Sequence, residues 1–159
     1  MKPSTENEES FTKTRVKAIS AASLIKSYGS PYYAKIDIEK YDETILTAFA
    51  ENKISPPYLS AESHTIGVFA LLSEKLPYRS FKLVDGNSVS RVYENTLLYS
   101  PILDKHVVYS FPHHSAGPFG NDVHGEWMDK GTLLKTLAMH GLGWKDIHAS
   151  TEDNPTLNF

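Results

Sequence analysis

The chain has 159 residues and a mass of 17.8 kDa, enough for one compact domain and little more. Hydrophobic residues make up 40% and charged residues 22%, so the chain can bury a core, and no stretch approaches the roughly 20 apolar residues of a membrane span. It has no cysteine, which excludes disulfide scaffolds, thiolate nucleophiles and Cys-ligated metal. Residues 1–82 carry eleven Lys/Arg against ten Asp/Glu, and residues 83–159 carry five against nine together with six of the seven histidines. There is no basic stripe of the kind a counterion-releasing nucleic-acid binder presents, so strong nucleic-acid binding is not expected. The composition points to a soluble chain, assigned to the cytoplasm, with a secreted effector as the alternative.

Residues 1–10 are polar and acidic and read as a disordered arm. Helical periodicity begins near Thr12 and places Ala18, Ala21, Ala22, Ile25 and Tyr28 on one stripe, with Gly29 as the stop. After Ser30-Pro31, residues 32–38 suit a short strand. A second helix is expected over 39–53 and, past the rigid Ser55-Pro56-Pro57, a third over 61–75 capped by Ser60. The period then changes. Residues 78–84 alternate, Asp85-Gly86 reads as a hairpin turn, 88–99 resume the alternation, and His106–Phe111 is a further strand. A last helix is expected from Asp129 to Gly141, and the residues after Ile147 read as a polar tail. The expected architecture is α+β: N-terminal helices packed on a small antiparallel sheet of three or more strands, with a C-terminal helix. Residues 11–148 form the domain and 149–159 the tail.

Chemistry is concentrated in the loop 112–126, PHHSAGPFGNDVHGE. It holds His113, His114, His124 and Glu126, which can pass a proton in either direction near neutral pH. Gly117, Gly120 and Gly125 let its backbone turn tightly against a ligand. The leading expectation is a small enzyme with a His/carboxylate acid–base site on this loop, of hydrolase, lyase or transferase type, acting on a polar or anionic substrate. His113, His114, His124 and Glu126 are the expected catalytic groups, and Arg79, Tyr109 and Asp122 the substrate contacts. No cofactor is expected. A divalent metal on His124 and Glu126 with a further histidine is the lesser variant, since no established ligand spacing is present.

There is no GxSxG elbow for a serine nucleophile, and the adjacent Ser63-His64 would diverge on a helix. Nor are the Ser-Thr-Ser and Glu-x-Glu of the mono-ADP-ribosyltransferases present around Arg79, Ser100 and Glu126. The alternative from another class is a non-catalytic protein-interaction domain, such as an effector, immunity or regulatory protein. In that case the loop is a polar cover whose histidines bond locally.

Overall fold

The computed structural model describes residues 14–113 and 115–155. The expected arm at 1–10 and the first residues of the expected first helix lie outside them, as do His114 and residues 156–159 of the expected tail.

The molecule is a mixed α+β domain with a four-stranded and a two-stranded sheet. In chain order the elements are α1 (Ala21–Tyr28), β1 (Tyr33–Ile36), α2 (Asp42–Glu51), β2 (Tyr58–Glu62), α3 (Ile66–Ala70, continued by a π-helical turn, Leu71–Lys75), β3 (Ser80–Asp85), α4 (Val89–Val92), β4 (Thr96–Ser100), β5 (Lys105–Tyr109), α5 (Lys130–His140) and β6 (Lys145–Ser150). The large sheet has the order β1-β2-β6-β3.

Short local signals start and stop the helices. Ser20 accepts from the Ser23 amide at 3.1 Å to begin α1, and the Asp129 carboxylate accepts from Thr132 N at 2.7 Å to begin α5. Gly141, at a φ of 74° that disfavours a side chain, ends α5 where the sequence predicts. In α2, Leu46 and Phe49 turn inward; in α5, Leu133 and Leu137 do so. These side chains, with Val68, Phe69 and Leu72 of the α3 segment, pack on Leu59, Ala61, Phe81, Ile147 and Ala149 from the sheet. One face of the sheet is therefore the hydrophobic core.

Four expectations are corrected. The large sheet is not purely antiparallel, because β1 and β2 run parallel, with Tyr33 beside Tyr58 and Ile36 beside Ala61, and α2 is their crossover. Tyr58–Glu62 is a buried strand rather than the start of a helix, so Ser60 lies mid-strand and the helix begins at Ile66. Asp85-Gly86 does not turn a hairpin. The Asp85 carboxylate accepts from Asn87 N at 3.0 Å and caps a 3₁₀ turn that runs into α4, where a strand is expected. The hairpin is β4–β5, further along the chain. Finally, α5 is not the last element. Residues 145–150, which straddle the expected start of the tail at 149, form β6, paired with β2 on one side and β3 on the other.

Candidate functional site

Side chains alternate across a strand, so the register fixes what the second face of the sheet carries. It presents Tyr33 and Lys35 from β1, Ser60 and Glu62 from β2, Asp146, His148 and Ser150 from β6, and Ser80 and Lys82 from β3. Most of these polar groups are buried. Their cover is the glycine-punctuated loop. Phe119 stacks on Tyr33 with ring centroids 4.3 Å apart, and Trp127 lies under the Lys82 ammonium at 4.7 Å. Lys82 also donates to the Val123 carbonyl. The loop thus serves as a roof over a polar floor.

Beneath the roof His148 is only 2% exposed. Neither ring nitrogen makes a well-formed hydrogen bond to a described residue; the main chain of Ala116 favours the charged ring, at a geometry short of a good bond. Burial, and then the positive charges of Lys35 and Lys82, push its pKa down to about 3, so it is neutral at physiological pH. Beside it the Tyr33 hydroxyl and Ser60 Oγ share a hydrogen bond of 2.6 Å. Burial comes first among the causes that hold Tyr33 above the usual phenol value, and the nearby Asp146 charge acts the same way.

At the carboxyl ends of the parallel pair the floor opens to solvent. The register sets Glu62 directly opposite Asp146. Two carboxylates so placed repel each other. Lys35, from β1, bonds Asp146, and its Nζ is 3.7 Å from Asp37 Oδ2. On the other side His64 Nε2 stands 2.9 Å from Glu62 Oε2, close enough for an ion pair, though at an angle that makes no hydrogen bond. Burial raises the pKa of Glu62 above 4.5; His64 opposes that rise, while Asp37 and Asp146 add to it. Asp146 is raised for the same leading reason, partly offset by Lys35. Asp42, which opens α2, is buried too. Its carboxylate has no hydrogen-bond partner among the described residues, and its charge also raises Asp146. The carboxyl end of parallel strands, beside a crossover helix, is where open α/β sheets place their ligands.

The residues expected from the sequence are dispersed over the roof and its surroundings. Asp122 and Glu126 are exposed, and both act electrostatically on Lys82. His124 is exposed with its ring 4.7 Å from that of Tyr93, and its amide donates to the Tyr93 hydroxyl at 3.0 Å. His113 packs on Trp144 at 5.2 Å. Arg79 is exposed and pairs with Asp153 at 3.2 Å, and Tyr109, at the end of β5, lies edge-on to Phe111. Asp122 and Glu126 thus share one neighbour, while His113, His124, Arg79 and Tyr109 each pack on a different group. Ser63 donates to the Gly143 carbonyl at 3.3 Å rather than to His64. No group of three or more His, Asp or Glu among the described residues is arranged to hold a metal ion. Nor is any described helix long and apolar enough to cross a membrane.

Sequence reasoning assigns no role to Lys35, Glu62, His64, Asp146 or His148. A signal for all but His64 exists: Tyr33/Lys35/Asp37, Ser60/Glu62, Ser80/Lys82 and Asp146/His148/Ser150 are i, i+2 polar series interleaved with apolar residues. Compared with known protein families, curated proteins and solved structures, the chain finds no match in any of the three.

Proposed function

We propose that the chain is a small enzyme working by general acid–base catalysis on a polar or anionic substrate, as a hydrolase, lyase or transferase, at the edge formed by Lys35, Glu62, His64 and Asp146. The observation that carries this reading is the Glu62–His64 pair, 2.9 Å apart within a group of charges at the carboxyl ends of β1 and β2. A carboxyl held protonated to higher pH can give a proton to a leaving group, and the adjoining imidazole can take one from the attacking group. Lys35, already the counter-charge of two carboxylates, stabilises negative charge that develops on the substrate. The roof then helps to exclude water rather than supplying the acid and base.

The rival placement keeps the chemistry on the loop, with His113, His114, His124 and Glu126 as acid and base and Arg79, Tyr109 and Asp122 holding the substrate. One experiment separates the two. Purified protein is assayed against chromogenic esters, phosphomonoesters, phosphodiesters and glycosides, alongside Glu62→Gln, His64→Asn, His124→Ala and Glu126→Gln. Turnover of one class is expected, with kcat reduced on the order of 100-fold or more by Glu62→Gln and by His64→Asn, and less than about tenfold by the two loop variants. The reverse ranking returns the site to the loop. Absence of turnover on every class contradicts the enzyme reading and leaves the protein-interaction domain, which the exposed apolar hairpin β4–β5 favours.

A further inference from the structure

Among the described residues the β4–β5 hairpin has no third strand, and its principal packing is within itself. A lone two-stranded ribbon is marginal in water. This one also exposes Leu97, Tyr99, Leu103 and Val108, and Ile102 at its tip is 95% exposed. Such a run of apolar side chains on an arm is the signature of a contact surface.

The free edge of β4 says what the arm fits. Thr96-Leu97-Leu98-Tyr99-Ser100 contains no charged residue and no proline, the two usual guards against strand pairing. Antiparallel pairing of β4 with the β4 of a second copy, about a two-fold axis through Leu98, sets Thr96 against Ser100 and Leu97 against Tyr99, without one like-charge pair. The same operation lays Ile102 and Leu103 of each arm beside residues 92–95 at the base of the other, where Val92 is exposed. Leu97, Tyr99, Ile102, Leu103 and Val92 present on the order of 500 Å² of apolar surface, and the pairing covers the flanks of Leu97 and Tyr99 together with the tip residues Ile102 and Leu103, a share of the roughly 800 Å² that each partner gives to a standard interface.

We propose that this arm is the self-association surface of the protein, pairing two copies through β4 into a continuous four-stranded sheet. The inference does not depend on the acid–base reading.

The absence of cysteine makes the test clean. Sedimentation and light scattering on the full chain are expected to give a dimer. Leu97→Lys and Ile102→Asp are expected to weaken it roughly tenfold or more while far-UV circular dichroism stays unchanged. Leu98→Cys, placed on the axis, is expected to form a disulfide-linked dimer under mild oxidation, and Thr47→Cys on exposed α2 is not. A chain that is monomeric at every concentration overturns the proposal. So does a dimer that survives both charge substitutions, or one in which Cys at 98 links no faster than Cys at 47.

Discussion

His148 carries a large pH signature in the acid range. Its folded pKa of about 3 lies far below the ordinary 6.5, so between those values the unfolded chain binds a proton that the folded chain refuses. Stability is therefore full above about pH 6.5 and is lost as pH falls toward 3, at up to about 1.4 kcal/mol per pH unit from this group. Replacing it by Leu is expected to flatten that limb, so that urea melts at about pH 7 and about pH 4.5 differ less in the variant than in the parent. A variant with the same acid slope as the parent contradicts the burial argument. Glu62 has the opposite sign. Its raised pKa means the folded chain holds a proton longer, so its contribution falls as pH rises above 4.5. Glu62→Gln is therefore expected to raise the melting temperature at neutral pH.

Two glycines separate rigid from yielding neighbours. A Cβ at Gly86 would sit 2.6 Å from the Trp144 indole, and one at Gly67 would meet the Glu43 carboxylate, the free end of a flexible side chain. Gly86→Ala is expected to cost about 1–3 kcal/mol and Gly67→Ala clearly less, as denaturant melts would show. This also explains why Asp85-Gly86 misleads as a turn signal. Gly86 is needed there for close approach to Trp144, and it is not among the glycines with positive φ. In the same way the histidines of the loop draw attention by type, while the buried His148 reads as an ordinary member of a polar segment. Residue type is plain in a sequence; burial is set by partners distant along the chain.

At the scale of elements, β6 decides the fold. It is central to the large sheet, bonded along both edges. Ending the chain after Trp144 is expected to abolish cooperative unfolding; a cooperative melt from the shorter chain would contradict the central position. The sequence places α2, α5 and the strand near 105–109 to within a few residues, because each rests on local periodicity and a cap or breaker. It misplaces β2 and β6 for one shared reason. Their inward polar side chains, Ser60, Glu62, Asp146 and His148, look like surface when read alone, and only the packing of distant segments on that face, such as Phe119 on Tyr33 and Val123 on Lys82, buries them. The parallel run of β1 and β2 is non-local in the same sense, since it follows from the path of α2 across the sheet.

At the scale of the molecule, one sheet separates two chemistries. Helices cover an apolar face that supplies the stability, and a loop covers a polar face that works against it. Buried ionisable groups cost free energy unless paired, and Lys35 facing Asp37, Glu62 and Asp146 is an incomplete pairing. Strain of that kind tends to collect at functional sites, which is why the acid–base reading rests on the sheet edge. The most direct test is the titration of the Glu62 side-chain carboxyl by carbon-detected NMR, in the parent protein and in His64→Phe. The account predicts a pKa above 4.5 in the parent and a further rise when the imidazole is removed, since that ring favours the charged carboxylate. A value at or below 4.5 that is indifferent to His64 would contradict it.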